Sequence, residues 1–266
     1  MAKNNSYLKF EGSLGGLTYY EKDGKSLVKV QSRISKSRIE RDPAFKRTRE
    51  NMMEFGAAAK ASKALREAIS TVVKTMGDTY LSSRLTGVMR RMVSNGIGLR
   101  GQRSIDVVAN PELLEGFELN KADILSSQFF APYVKPSLNA DRDVITWVIP
   151  DFNTDSLITK PEGASHFKMV LAAGLVSEYE YVAALRGYEP VNEDENAIGK
   201  VAFSSEIPLV GMVGSDTTLV VDLGLGAAVV PTTATIAAIG IVFFQEINGQ
   251  FYELASGNAM KIATVG

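Results

Sequence analysis

His166 is the one imidazole in this chain of 266 residues, and Ser165 stands directly before it. A hydroxyl beside a general base could support acyl transfer, but no G-x-S-x-G elbow surrounds this serine. Placed at the head of an apolar run, the imidazole reads as structural. Ser165-His166-Phe167-Lys168 also carries the Ser-x-x-Lys spacing, as does Ser26-Leu27-Val28-Lys29. In penicillin-recognising enzymes that spacing puts both groups on one helical turn. Both copies here fall on predicted strands, where first and fourth residues face opposite ways. With no Cys, disulfides, Fe–S clusters, thiolate zinc sites and cysteine nucleophiles are excluded, and one His excludes histidine-cluster metal sites.

Gly96-Ile97-Gly98-Leu99-Arg100-Gly101 has the letters of a dinucleotide fingerprint. That chemistry needs the glycines between a strand and a helix, so that the helix N-terminus meets the pyrophosphate. Here they follow a helix end without a βαβ unit, which suits a loop, with Arg100 and Arg103 left as possible anion contacts. Glu178/Glu180 and Asp141/Asp143 are alternating carboxylates that would share a strand face, as a glycosidase would need, among 30 acids in all. Glu193-Asp194-Glu195 offers oxygen ligands but lacks the spaced D-x-D-x-D-G loop of a calcium site. No catalytic residue, cofactor or metal ligand is expected, and the expectation is a protein that is not an enzyme.

Charge is the stronger signal. The chain carries 29 basic and 30 acidic residues, yet residues 1–110 hold 21 Lys/Arg against 10 Asp/Glu, and residues 111–266 hold 8 against 20. Such a split points to an anionic partner for the basic half: nucleic acid, an anionic surface, or the acidic half of another copy. The densest stretch is a basic arm over residues 31–41 with the helix start after it. Lys29, Arg33, Lys36, Arg38, Arg41, Lys46, Arg47 and Arg49 are the candidate anion contacts, with Tyr19 and Tyr20 the nearest aromatic surface. No recognised nucleic-acid fold accompanies them, and aromatics for base stacking are sparse.

These groups must be positioned by an α+β chain: an N-terminal β-hairpin, an αα-hairpin, then an antiparallel β-sandwich-like domain. Leu17–Tyr20 and Leu27–Val30 flank Asp23-Gly24, a hairpin signal. Tyr7–Phe10 is a candidate third strand, ended by Gly12 and Gly15-Gly16. A sheet this small must lie on something, in this chain or the next. Asp42-Pro43 opens a helix whose apolar positions are Phe45, Met52, Phe55, Ala59, Ile69, Val72, Val73 and Met76, with a possible break near Gly56. Gly77 ends it and Asp78 caps a second helix, with a stripe of Leu81, Leu85, Val88, Met89 and Met92, closed by Asn95-Gly96. Beyond about residue 118 come seven short runs: 144–149, 167–172, 202–209, 218–223, 235–244, 251–254 and 259–265. The last three suggest a meander, and residues 187–199 an acidic loop. Two domains are expected, 1–110 and 118–266.

Residues 223–244 carry no charge and are long enough to span a bilayer, but glycines and Pro231 divide them; they read as two buried strands joined by a turn, and no membrane span is expected. The start is polar and shows no signal peptide, so cytoplasmic synthesis is expected, with later release or incorporation into a particle open.

The stretches G-S-L-G-G-L-T-Y-Y-E-K-D-G-K-S-L-V-K-V (12–30) and R-D-P-A-F-K-R-T-R-E-N-M-M-E-F (41–55) resemble an uncharacterised bacterial protein family found mainly in Bacteroidetes. The likeness covers about the first seventy residues, with a looser echo in I-V-F-F-Q-E-I-N-G-Q-F-Y-E-L. It implies no activity or site and favours a non-enzymatic role. The expected function is a structural subunit that self-assembles as a homo-oligomer, the basic N-terminal region of one copy docking head to tail on the acidic domain of a neighbour. The alternatives are a nucleic-acid-associated protein and a carbohydrate- or ligand-binding sandwich.

Overall fold

A computed structural model describes residues 2–4, 10–22, 24–31 and 34–266. The chain divides into two compact units, Met1–Glu50 and Asn51–Gly266. The fold is α+β, with its strands paired antiparallel throughout.

In the first unit, β1 (Ala2–Lys3), β2 (Gly12–Leu14), β3 (Leu17–Lys22) and β4 (Lys25–Val30) form one sheet in the order β1-β4-β3-β2. Lys22 pairs with Lys25 on either side of Gly24, whose φ is positive; Asp23 of the expected Asp-Gly turn lies outside the described residues. Of the expected strand Tyr7–Phe10, residues 7–9 lie outside the described residues, and Phe10 is not in a strand. Gly15-Gly16 proves to be a second hairpin turn rather than a strand end. Both glycines have positive φ, and Leu14 pairs with Leu17 across them. Half of the expected irregular arm is helical: Ser35 caps α1 (Lys36–Arg41) by accepting from Arg38 N–H. Asp42 then caps a 3₁₀ turn, Pro43–Phe45, its carboxylate accepting from Ala44 N–H at 2.9 Å.

Helix α2 (Lys46–Ala68) follows directly, and α3 (Ser70–Met76) and α4 (Leu81–Asn95) complete the helical hairpin. Gly56 leaves α2 intact; the break falls at Ile69, with φ −111° and ψ 31°. Nor does α2 bury the face its large side chains suggest. Met52 and Phe55 are 59% and 58% exposed, and the buried face is Ala57, Ala58, Ala61, Ala64, Leu65 and Ala68. Small residues on the sheet explain this choice. A Cβ on Gly199 would fall into the Ala68 carbonyl, and one on Gly174 would come within 2.7 Å of Ala68 Cβ. The helix therefore approaches the sheet through alanine and glycine. In α4 the expected stripe of Leu81, Leu85, Val88, Met89 and Met92 is buried, and Gly77 and Gly96 close α3 and α4.

After two short helical turns and β5 (Ser137–Leu138) come β6 (Val144–Ile149), β7 (His166–Ser177), β8 (Tyr179–Val182), β9 (Gly187–Pro190), β10 (Gly199–Phe203), β11 (Ile207–Pro208), β12 (Thr217–Asp222), β13 (Thr233–Ile247), β14 (Gln250–Glu253) and β15 (Ala259–Val265). Strands β10, β7, β13 and β14 form the larger sheet, with β11 on β7 and β15 on β13, while β12-β6-β5 form a smaller one. One core packs helical side chains against Val170, Ala172, Val176, Ile236, Ala238 and Val242. The other packs Phe167, Met169, Leu171, Ile239, Ile241 and Phe243 against Ile145, Trp147 and Ile149. The larger sheet is thus covered on both faces, so β7 and β13 read as unbroken apolar runs. The helical hairpin shares a core with that sheet, which is why both lie in one compact unit.

The uncharged stretch 223–244 holds one strand, β13; its first part is a connection that turns at Pro231, with Thr233 N–H donating to the Val230 carbonyl. The last three strands are no meander, because β14 and β15 each pair with β13 rather than with one another. The acidic loop 187–199 begins as β9, paired with β8. No helix among the described residues is long and apolar enough to cross a membrane.

Candidate functional site

Alternation along β3 and β4 sorts the small N-terminal sheet into two unlike faces. Tyr19 opposes Val28 and Leu17 opposes Val30 and Leu14, so these five side chains share one face. The Phe10 ring lies 4.4 Å from that of Tyr19. On the other face Tyr20 opposes Leu27, Thr18 opposes Lys29, Lys22 opposes Lys25, and Lys3 sits across from Leu27. Lys29 Nζ lies 5.4 Å over the Tyr20 ring. One face therefore carries the apolar cluster, with Glu21 and Ser26 at its end, and the other carries four lysines. None of the described side chains between residues 3 and 50 is buried; Leu14 and Val30 are 67% and 76% exposed.

The expected site residues divide accordingly. Tyr19 lies on the apolar face, and Tyr20 and Lys29 meet on the basic one. Arg33 lies outside the described residues. Lys36 pairs loosely with Glu40 at 3.8 Å, and Arg47 pairs with Glu50 at 2.7 Å. Arg38 donates to Asp42 at 3.2 Å and covers the Phe45 ring; the Ala44 N–H, then Arg38, hold the Asp42 carboxyl below its usual value. Arg49 is a fold residue: its guanidinium donates to the carbonyls of Ile39 and Asp42 at 2.7 and 2.9 Å, fastening the end of α1 to the start of α2. Arg41 and Lys46 are exposed. Lys3, Lys22 and Lys25 were not singled out by sequence, although the hairpin turn and the two-residue period place 22, 25 and 29 on one face.

The other constellations are structural in their geometry. Ser165 Oγ lies 3.0 Å from His166 Nδ1, and Glu246 Oε2 is 3.8 Å from the same nitrogen. A relay needs its hydroxyl and carboxylate on different ring nitrogens, so this is no triad. Ser165 Oγ instead accepts from Glu246 N–H, and Lys168 pairs with Glu206 at 2.7 Å. The glycine-rich loop 96–101 is pinned by buried Glu54, which accepts from Gly101 N–H, binds Arg103 in a fork at 2.8 and 2.9 Å, and pairs with Arg90. Arg103 is thereby engaged, and Arg100 donates to Asn51. Glu195 accepts from Val230 N–H. Burial, then the charges of Asp106 and Glu180, push the Glu178 carboxyl up. Among the described residues no group of three or more His, Asp or Glu side chains is placed to hold a metal ion.

Sequence and structure comparisons add no relative: no family model, no curated protein and no solved structure matches this chain.

Proposed function

We propose that this chain is a non-enzymatic structural subunit that self-assembles head to tail, the N-terminal unit of one copy docking on the second unit of the next. One observation carries the reading: the N-terminal sheet has an apolar face, Leu14, Leu17, Tyr19, Val28 and Val30, and no buried side chain among its described residues. A small sheet needs a covered hydrophobic face to be stable. Electrostatics favours the acidic unit of a neighbour as the cover, since residues 1–50 hold 12 Lys/Arg against 6 Asp/Glu and residues 51–266 hold 17 against 24. Opposite patches on one chain make a heterologous contact, which propagates into rings or filaments. In this reading the apolar face supplies affinity and the charges supply register and encounter rate.

The second unit contains both hydrophobic cores, so it should fold without the first. Deleting residues 1–40 is expected to leave a folded monomer by light scattering after size exclusion. The pair Leu14→Ser and Val30→Ser should weaken association without lowering the melting midpoint. A truncated chain that assembles like the full one overturns the reading. The lysine face favours a second reading, contact with nucleic-acid phosphates, in which affinity falls steeply with salt. Ordered particles free of nucleic acid favour the first reading; a saturable oligonucleotide shift at low salt favours the second.

A further inference from the structure

In the second unit, a recess of about 700 Å³ opens between α4 and residues 116–124. Its apolar lining comes from Val88, Phe117 and Ile124, and its cations are Arg84, Arg91 and Lys121. Arg84 holds the recess together through its two terminal nitrogens, while its buried Nε has no hydrogen-bond partner. It donates to the carbonyls of Glu118 and Leu119, both at 2.7 Å, pairs with Asp78 at 2.8 Å and stacks over Phe117 at 4.9 Å. Arg91 and Lys121 are exposed, and neither side chain has an ion-pair partner among the described residues.

Gly87 is the second observation. A glycine inside a helix is unfavourable relative to alanine. No packing explains it here, because a Cβ at this position would meet nothing within 4 Å. What the missing side chain does is leave the recess open. The volume falls in the range of small-ligand pockets, and the combination of apolar wall and two uncommitted cations selects for charge as well as shape.

We propose that this recess binds a small amphipathic carboxylate, its hydrocarbon on Val88, Phe117 and Ile124 and its charge between Arg91 and Lys121. The remaining carboxyl in the recess, Glu118, is engaged with the backbone, accepting from Leu125 N–H at 3.2 Å. The basic N-terminal unit is not the occupant, because its charge has the wrong sign. The site is therefore independent of the assembly reading.

The test is calorimetric titration of the full chain with octanoate and, in parallel, octan-1-ol. Octanoate is expected to bind saturably with a Kd below about 1 mM, and the alcohol about tenfold more weakly, the difference a charge-assisted pair supplies. Arg91→Glu with Lys121→Glu should weaken octanoate by about tenfold or more. Gly87→Phe should fill the recess and abolish binding. Thermal midpoints of both variants, checked first, should be no lower than the parent's, since Arg91 and Lys121 are exposed, position 87 faces open space and phenylalanine is a better helix former than glycine. No saturable binding of octanoate at about ten times that Kd, equal affinity for the alcohol, or full binding by Gly87→Phe would each overturn the proposal.

Discussion

The N-terminal sheet and the larger sheet of the second unit are both antiparallel and both patterned with period two, but they differ in what their apolar residues touch. In β7 and β13 most side chains are buried, in β13 all but those of the last four residues, about half of them against helices and half against the smaller sheet. In β2, β3 and β4 the same alternation yields an apolar face with no buried residue. Both are joined by regular antiparallel pairing, so pairing is not what distinguishes them. The first sheet thus has the pattern of a covered sheet but no buried apolar residue, whereas the second unit buries its own.

The largest expected effect lies where the second unit is tightest. Gly199→Val would force a side chain into the Ala68 carbonyl and lift α2 from the sheet, at a cost of about 3 kcal/mol or more. Urea denaturation should show it as a large fall in midpoint. An unchanged midpoint would mean that the helix–sheet contact is not what holds this unit together.

Next is Glu54→Gln, which leaves the partly exposed Arg90 and Arg103 without their charge partner, at about 2 kcal/mol for the lost charge-assisted hydrogen bonds. Burial pulls the Glu54 carboxyl up, but the Arg103 fork and the Gly101 N–H outweigh it and hold the group below its usual value of 4.5. A carboxyl depressed in the folded state contributes stability that is present above the unfolded value and lost as pH falls through the folded one. The gap between parent and variant should therefore be full at neutral pH and close on acidification below 4.5. A gap that is constant with pH would show the loop 96–101 to be held by packing instead.

Much of this architecture was legible. Seven strands were marked by short apolar runs, α4 by its stripe, and the first hairpin by Asp-Gly. What escaped did so for physical reasons. The buried face of α2 is alanine, whose weak hydropathy is outweighed by exposed Met52 and Phe55, and only Gly174 and Gly199, more than a hundred residues away, explain the choice. The pairing of β14 and β15 with β13 is a choice of edge that local sequence does not encode. At the candidate site, the residue types were visible but their division was not. Arg49 is committed to backbone carbonyls, which leave no trace in composition, while Lys22 and Lys25 needed only the two-residue period to be found.

The smallest effect is the most discriminating, because its two readouts should move in opposite directions. Lys22 and Lys25 stand directly opposite one another across the hairpin, a like-charge pair that weakens the sheet. Lys22→Glu turns it into an attractive pair, worth about 0.2–1 kcal/mol to the hairpin. If the lysine face meets acidic groups of a neighbour, the same change places a carboxylate against carboxylates. Association by sedimentation should then weaken while amide exchange in residues 17–30 slows. The association defect should shrink at about 0.5 M salt, where the screening length is only a few ångströms. Tighter pairing with undiminished association would separate the basic face from assembly and leave the apolar face, with Leu14 and Val30, as the whole of the contact.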